Sequence, residues 1–505
     1  MIDRRTLMTL MAAGLVPLPK LGLAQGNTLP SLLEVARGMA AQAYIPPTGI
    51  LSPPFDDLNY NSYRGIRPRP GAAALLPQGE DFALDLMPPG FYFTEPLQIQ
   101  RQIDGVLQEQ DFSPALFDFD DRYFNEVPET SEHGGFSGAR LRYPINNPDV
   151  MDEVVVFQGA SYFRAIGEAM VYGLSARAVA IGTGGADPEE FPRFSLLRVH
   201  DGAAGQIRVE GLIDSPSLTG HLDLNIRPGP DTVMDASLTL FPRAQIDTIG
   251  VAPLTSMYLK GPMRAAVSDD FRPNVHDSDL LFIENGAGER LWRPIANPIR
   301  VETSSFADTN PSCFGLYQTT RQYEDFHDPE ARYQDRPSAL VVPKGDWGAG
   351  AVMLVEIPTG TEFLDNIVAF WRPEAPLLAG GEYRFDYTLT WTKGAPPLHE
   401  LAPVTQSRSG RDHDQPGARR FVLDFDIEPE GLTPDLSVFG SEDPGILYGT
   451  SLFGLPEGRG TRVTFLLKPE VEEALELRLQ LRDAEGAPAT PVWLHRWTRK
   501  RDGGV

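Results

Sequence analysis

Three acidic residues lie within residues 353–371, MLVEIPTGTEFLDNIVAFW, and carboxyl groups at this spacing suit acid–base catalysis. Two apolar runs flank a polar turn that carries Glu362 and Asp365, and their β-branched and aromatic residues predict buried strands. A carboxyl group beside a buried strand loses hydration, which raises its pKa and suits it to act as a general acid. Aspartate also favours ordinary turns, and from the pattern alone a structural turn is the stronger interpretation.

The other reactive side chains form no recognisable site in the sequence. The eight histidines are scattered, with no HExxH pair and no Cys/His cluster, so neither a zinc nor a haem site is predicted. Ser161, Ser175 and Ser256 lie outside any GxSxG motif, which disfavours a serine hydrolase. Cys313 is the only cysteine, so no internal disulfide forms, and we predict a structural role for it. We expect no metal and no organic cofactor.

Length and charge restrict the partners of this chain. With 505 residues, the chain is longer than one core usually serves, so we expect two domains. A net charge of −25 repels phosphate backbones and anionic membrane faces, which excludes nucleic acid as a partner. A neutral ligand is compatible with this surface.

The N-terminal residues 1–24 have the pattern of an export signal. Arg4 and Arg5 precede an apolar run that is too short to span a bilayer, and small residues before position 25 predict cleavage after Ala24. The paired arginines favour the twin-arginine route, with an uncleaved anchor or a Sec signal as the alternatives. We therefore expect a periplasmic protein.

The spacing of apolar runs predicts an all-β protein. Residues 27–45 have helical periodicity, whereas from about residue 73 to the run at 381–392 short alternating strands follow one another. This rhythm predicts a large N-terminal β-sandwich over residues 25–393. Residues 394–420 are rich in Pro, Gly and charge and predict a linker or a lid. Residues 421–505 alternate again and predict a small immunoglobulin-like sandwich.

Nine blocks of the sequence, in this order, resemble the periplasmic glucan biosynthesis proteins G and D. The blocks are QGASYFR (158–164), YGLSAR (172–177), EEFPRF (189–194), GVAPLTSM (250–257), HDSD (276–279), WRP (292–294), RPSA (336–339), KGDWG (344–348) and DNIVAFW (365–371). The twin-arginine-like leader is similar to that of the D branch. The resemblance implies the same two-domain β-sandwich architecture that the strand pattern predicts.

The resemblance also implies an activity. Such proteins act in making osmoregulated periplasmic glucans, whose backbone is β-1,2-linked glucose, and some resemble inverting endo-β-1,2-glucanases or transglycosylases. By this resemblance Asp365 is the general acid and Asp277 the general base. Inverting hydrolysis does need two carboxyl groups, one to protonate the leaving oxygen and one to activate water. The implied partners are β-1,2-glucan chains, and the resemblance allows a homodimer.

Aromatic and bidentate polar side chains are expected to bind the sugar around these aspartates. The candidates are Tyr162, Arg164, Trp292, Arg336 and Trp347. For the tryptophans the alternative is a place in the core, and for the arginines a structural ion pair. His276 either orients its neighbour by a hydrogen bond or is a satisfied structural histidine.

Two other classes of function fit the same sequence. In the first, the chain is a non-catalytic glucan-binding scaffold that assists a membrane glucosyltransferase, and the two carboxylates only accept hydrogen bonds from the sugar. In the second, the chain is a structural adaptor whose C-terminal domain binds a protein, an interpretation that rests on fold analogy alone. An acid–base pair loses far more rate on Asp→Asn substitution than a binder loses affinity.

Overall fold

The computed structural model describes residues 29–47, 51–126, 135–263 and 269–502. The predicted leader, residues 1–24, lies outside these ranges. Strands make up 48% of the described residues and helices 7%, which confirms the all-β fold class. Within the described ranges, no helix has both the length and the apolar character needed to cross a membrane.

Strands β1 to β26 form the N-terminal domain. They are β1 (Ile66–Pro68), β2 (Leu76–Pro77), β3 (Ala83–Met87), β4 (Gln98–Ile103), β5 (Val106–Glu109), β6 (Phe117–Phe119), β7 (Gly138–Tyr143), β8 (Asp152–Gln158), β9 (Tyr162–Ala165), β10 (Ser175–Arg177), β11 (Val179–Ile181), β12 (Arg193–Val199), β13 (Ile207–Asp214), β14 (Leu218–Arg227), β15 (Thr232–Pro242), β16 (Ile249–Ser256), β17 (Tyr258–Lys260), β18 (Val275–His276), β19 (Leu280–Glu284), β20 (Arg290–Pro294), β21 (Glu302–Thr309), β22 (Cys313–Tyr317), β23 (Ser338–Lys344), β24 (Ala349–Glu356), β25 (Ile367–Pro373) and β26 (Tyr383–Thr392).

The C-terminal domain adds seven strands, and the described ranges also contain short helices. The strands are β27 (Val404–Arg411), β28 (Arg419–Phe425), β29 (Thr433–Phe439), β30 (Leu447–Gly454), β31 (Thr461–Leu467), β32 (Ala474–Arg482) and β33 (Val492–Thr498). The helices are α1 (Leu32–Ala40), α2 (Tyr60–Arg64) and α3 (Arg499–Asp502), with 3-10 turns at Pro114–Leu116, Tyr323–Asp325, Tyr333–Asp335 and Pro456–Gly458. The helix α1 lies within the predicted 27–45 segment and packs on β13, β14 and β15.

Two large sheets pack face to face in the N-terminal domain. One has the strand order β2-β3-β7-β8-β9-β10-β16-β25-β24-β21, with β11 also pairing to β16. The other has the order β29-β32-β33-β20-β19-β22-β23-β26-β15-β14-β13-β12-β4-β5, in which β29, β32 and β33 belong to the C-terminal domain. A single buried cluster joins residues of the two sheets, including Leu354 and Trp371 from the first and Leu238 and Leu389 from the second. Alternating apolar residues on each strand supply this core.

The hairpin of β24 and β25 is apolar on both faces, as its sequence predicts. Leu354 and Trp371 point into the main core, whereas Met353, Val355 and Phe370 belong to a separate buried cluster. Successive side chains of a strand point to opposite faces, so continuous apolar runs are found where both faces are covered. The loop between the two strands carries the predicted acid.

The C-terminal domain has immunoglobulin-like topology. One sheet has the order β27-β28-β31-β30, and the other contains β29, β32 and β33. With the seven strands lettered A to G in chain order, these sheets are ABED and CFG, the arrangement of a constant-type immunoglobulin domain. Phe421, Phe465 and Trp493 are among the residues that fill the space between them.

The predicted linker 394–420 is wrong for residues 404–411, which form β27. This strand pairs with β28 from Val404↔Phe425 to Arg411↔Arg419, so the C-terminal domain begins near residue 404 rather than 421. The sequence of β27, VTQSRSGR, has one buried residue because it lies at a sheet edge. An edge strand with polar side chains lacks the apolar alternation by which strands are recognised.

Candidate active site

The outward face of the first sheet carries the polar residues of the site. Cross-strand pairs join Tyr162 to Arg177, Thr255 to Val368, and Val368 to Val355, which places these residues on one face. Their strand neighbours, such as Phe163, Ala176 and Leu254, lie in the main core on the other face. The predicted site residues on these strands are therefore turned away from the core.

Both predicted catalytic aspartates are fixed to the same short stretch of backbone. The N–H of Asp277 donates to the carbonyl of Met257 at 2.8 Å. The side chain of Asn366 accepts from the N–H of Tyr258 at 2.8 Å and donates to its carbonyl at 3.1 Å. Asn366 is buried and directly follows Asp365. Residues 257 and 258 thus hold the two acidic segments side by side.

Asp365 lies partly buried among charges of both signs. Its side chain is 33% exposed, and its Oδ2 lies 3.2 Å from Nη2 of Arg164. Burial raises the pKa of Asp365, and the negative charge of Asp277 raises it further, against the opposing positive charges of Arg164, Arg177 and Arg336. A carboxyl group with a raised pKa and access to solvent can deliver a proton to a ligand.

Asp277 is more deeply buried, and a guanidinium holds its carboxylate. Its side chain is 4% exposed, and Oδ1 accepts a hydrogen bond from Nη1 of Arg336. Arg336 is itself positioned, because its Nε donates to the carbonyl of Ala331 at 3.1 Å and its guanidinium lies 4.2 Å from the Tyr333 ring centroid. The contact is a charge-assisted hydrogen bond that orients the carboxylate.

Tyr162 and Arg164 lie beside these groups on β9. They are two residues apart on one strand and therefore share a face. The guanidinium of Arg177 lies 4.6 Å from the centroid of the Tyr162 ring. Burial raises the pKa of Tyr162 to about 12, so its phenol stays neutral and offers a hydroxyl to a ligand.

Arg177 and Glu189 belong to the site although sequence reasoning did not select them. Nη1 of Arg177 lies 2.5 Å from Oε1 of Glu189, and its Nε donates to Oγ1 of Thr255 at 3.0 Å. Both residues occur in blocks that carry the family resemblance. Arg177 is recognised as a site residue because it lies opposite Tyr162 on the neighbouring strand. This can be seen only when the register of β9 and β10 is known.

A further arginine, Arg272, holds the loop that carries Asp365. Nη1 of Arg272 lies 2.6 Å from Oε2 of Glu362 and 2.8 Å from Oδ2 of Asp328. The hydroxyl of Tyr333 also donates to Glu362 at 3.0 Å. Tyr333 lies against Arg336, so these contacts link the loop of the predicted acid to the partner of the predicted base.

His276 is fully buried and packs as a structural residue. Its Nδ1 lies 2.7 Å from Oε1 of Gln318, and its ring stacks on Tyr258 at a centroid distance of 5.2 Å. Burial lowers the pKa of His276, which favours the neutral ring. Its Nε2 has no hydrogen-bond partner among the described residues, so the structure shows no hydrogen bond from this ring to Asp277.

The structure places Trp292 and Trp347 in the core rather than beside the aspartates. Trp292 is 5% exposed and pairs with Trp493 where the two domains meet. Trp347 is 5% exposed, and its ring centroid lies 6.2 Å from that of Trp371, at the opposite end of β25 from Asp365. The structure favours the alternative interpretation, in which both tryptophans are core residues.

The serines and the cysteine considered above are buried. Oγ of Ser256 donates to Oγ of Ser278 at 2.8 Å, and Oγ of Ser175 donates to a backbone carbonyl. Burial raises the pKa of Cys313 to about 12, which disfavours the thiolate. Across the described ranges, His, Cys, Asp and Glu side chains do not gather in threes with metal-binding geometry.

Comparisons with known proteins show which family the sequence resembles. A family model described as "Periplasmic glucan biosynthesis protein, MdoG" matches residues 28–497. "Glucans biosynthesis protein G" of Vibrio cholerae serotype O1 is 40% identical over 476 residues, covering 93% of this chain and 86% of the relative. The protein of the same name from Shewanella frigidimarina is 38% identical over 473 residues, covering 93% and 84% respectively.

A solved structure described as a galactose mutarotase related enzyme, from Lactobacillus acidophilus, also matches. It is 10% identical, covers 50% of this chain and 94% of its own, and has a TM-score of 0.23. A similarity this low supports no argument about this chain. The assignment to the D branch depends on the leader and stays a prediction.

Proposed function

Since this chain belongs to the family of periplasmic glucan biosynthesis proteins, we propose that it cleaves or transfers β-1,2-glucan chains with Asp365 as acid and Asp277 as base. The supporting observation is the contrast between the two carboxyl groups. Burial and the negative charge of Asp277 raise the pKa of Asp365, whereas an arginine binds the carboxylate of Asp277. A raised pKa suits Asp365 to donate a proton, and a hydrogen bond from Arg336 orients the carboxylate of Asp277 to accept one.

In the proposed reaction Asp365 gives its proton to the glycosidic oxygen as the bond from that oxygen to the anomeric carbon breaks. Asp277 accepts a proton, directly or through a chain of water molecules, from the water whose oxygen attacks the same carbon from the opposite side. The new bond therefore has inverted configuration. Exchange with solvent then returns Asp365 to its acid form and Asp277 to its carboxylate.

Transfer to another chain follows the same steps with a sugar hydroxyl in place of water. The balance between hydrolysis and transfer depends on how well the acceptor excludes water. Arg164, Tyr162 and Arg336 lie around the two carboxyl groups and are proposed to bind sugar hydroxyls. In this proposal the protein acts in the periplasm, reached through the leader at residues 1–24.

The test uses a purified linear β-1,2-glucan and compares the protein with its Asp365→Asn and Asp277→Asn variants. Shorter products, or cyclic or branched ones, are expected from the parent and not from either variant. Asp247→Asn, an exposed aspartate in the loop before β16, is the matched control and should retain the parent's products. Nuclear magnetic resonance of the fresh reducing ends should show the inverted anomer.

Two outcomes would contradict the proposal. Full cleavage by Asp365→Asn would remove this residue from the chemical step. Intact binding of the glucan with no product from the parent would instead support the scaffold function, in which the carboxylates only bind hydroxyls and a membrane glucosyltransferase does the synthesis.

A further inference from the structure

Three consecutive aromatic residues, Phe91, Tyr92 and Phe93, lie in a tight turn near β9 that the proposed reaction does not use. The N–H of Gly90 donates to the carbonyl of Phe93 at 2.8 Å, and the reverse bond is 2.9 Å long. Phe91 has a φ of 57°, an unfavourable value for an aromatic residue. Such strain persists only where the surroundings enforce it, and it concentrates at functional sites.

The turn at residues 90–93 is anchored on one side and open on the other. The rings of Phe91 and Phe93 lie 6.2 Å and 5.8 Å from the Tyr63 ring, between centroids. Tyr92, by contrast, is 82% exposed. Two aromatic rings therefore fix the turn, and the third presents an open face to solvent.

A second strained turn faces the first one. Gly159 and Ala160, between β8 and β9, have φ values of 79° and 43°. A Cβ on Gly159 would lie 3.2 Å from the Phe93 ring, so the two turns are in contact. Next to this contact is a cavity of about 270 Å³, with Tyr92 and Phe191 among its lining residues.

This cavity lies close to the candidate active site and is linked to it through Phe191. Ala160 precedes Arg164 by four residues, and an extended chain rises about 3.3 Å per residue, so the separation is at most about 13 Å. The Phe191 ring centroid lies 5.6 Å from the guanidinium of Arg177, which in turn covers Tyr162. Phe191 therefore lines the cavity and also contacts a residue of the candidate active site.

The lining has the composition of a sugar site. Tyr92 and the 52% exposed Phe191 offer apolar ring faces, while Glu95 and Arg193 offer hydrogen-bonding groups. A pyranose has apolar faces and a rim of hydroxyls, which matches exposed aromatic rings beside polar groups. Arg193 is positioned by a bond from its Nη1 to the carbonyl of Pro96 at 3.3 Å.

We propose that the cavity between the 90–93 turn and the 159–160 turn is a distal subsite that binds glucose units of the β-glucan chain beyond the point of cleavage. This inference rests on the proposed function, because the same chain must pass Asp365. The subsite would make the affinity depend on the length of the glucan. Glucans long enough to reach from the two aspartates to the cavity should bind more tightly than shorter ones.

The test measures the affinity of Asp365→Asn protein for short and long linear β-1,2-glucans by calorimetry. In this background Tyr92→Ala should weaken binding of the long glucan by about tenfold and lower the ratio of long-chain to short-chain affinity. Phe439→Ala removes another exposed ring, 57% exposed against 82% for Tyr92, from β29 of the C-terminal domain and should keep the parent's ratio. Tyr92 is largely exposed, so its removal should leave the thermal midpoint of unfolding unchanged.

The outcomes separate this proposal from the function on which it rests. An unchanged affinity ratio in Tyr92→Ala, while Asp365→Asn still binds glucan, would overturn the distal subsite and leave the proposed reaction intact. Failure of the folded Asp365→Asn protein to bind any β-1,2-glucan would overturn both. An equal loss in Tyr92→Ala and Phe439→Ala would also count against the subsite.

Discussion

Glu356 and Asp365 are two carboxyl groups at the two ends of one loop, and burial raises the pKa of both. Glu356 is completely buried; its oxygens accept from the N–H of Ala296 at 2.7 Å and from Nη2 of Arg293 at 3.3 Å. Asp365 is one third exposed and contacts a single arginine. A raised pKa is thus common to Glu356, which makes a buried structural contact, and to Asp365, the candidate acid. Exposure to solvent distinguishes the two residues.

The largest expected effect is on rate and separates the two residues. Asp365→Asn should lower the rate of glucan cleavage by about 10²–10⁴-fold, because the amide cannot donate the proton of a carboxylic acid to the leaving oxygen. Glu356→Gln keeps the shape of its side chain and should change the rate by less than about threefold. Steady-state rates with a β-1,2-glucan measure both, and equal losses would remove the distinction.

The second effect is on stability, and here substitution of Glu356 should have the larger effect and substitution of Asp365 the smaller one. Glu356→Ala leaves the buried guanidinium of Arg293 without its carboxylate and should lower the free energy of unfolding by about 3–5 kcal/mol. Asp365→Ala exposes its partner Arg164 to water and should cost less than about 1 kcal/mol. Denaturant titration compares the two variants. A larger loss at position 365 than at 356 would show that the burial argument is wrong.

The third effect is a shift of the pH–rate profile. A general acid must be protonated, so the rate falls as pH rises through the pKa of Asp365. The positive charge of Arg164 lowers that pKa, and Arg164→Gln should therefore move the alkaline limb of kcat to higher pH by a fraction of a unit. Arg227→Gln, whose partner is Asp235 on the other sheet, should leave the limb in place. A shift to lower pH would contradict the assignment.

The smallest effect is on the pH dependence of stability. A carboxyl group whose pKa is higher in the folded than in the unfolded state makes stability greatest at low pH. That contribution is lost as pH rises from the unfolded pKa through the folded pKa. Glu356→Gln removes one such group, so the fall in unfolding free energy across this window should be shallower than in the parent. An unchanged slope would argue against a raised pKa at Glu356.

The sequence predicts which strands form better than it predicts where the domains begin and end. The two apolar runs around Asp365 are strands as expected, and the last predicted strand of the large domain is β26. The strand β27 is not predicted from the sequence, because a polar edge strand has the same composition as a linker. Its inclusion completes the seven-stranded domain, so the error lies in the boundary and not in the fold.

Three of the five sugar-binding residues predicted from the sequence lie near the two aspartates in the structure. The prediction is wrong for the two tryptophans. Tyr162, Arg164 and Arg336 lie beside Asp277 or Asp365. Trp292 and Trp347 lie in the core, because residue type alone does not distinguish an aromatic ring that binds sugar from one that packs. Arg177 becomes visible only once the register of two short strands is known.

The parallel pairing of β20 with β33 has a consequence for dissection of the chain. Leu291 pairs with Val492 and Trp292 with Trp493, so the C-terminal domain extends a sheet of the N-terminal domain. Removal of residues 404–505 would leave β20 paired only with β19, so that its other edge and Trp292 would be uncovered. An unprotected apolar strand edge is a template for aggregation. The N-terminal domain should therefore precipitate when expressed alone, and the two domains should fold as one unit.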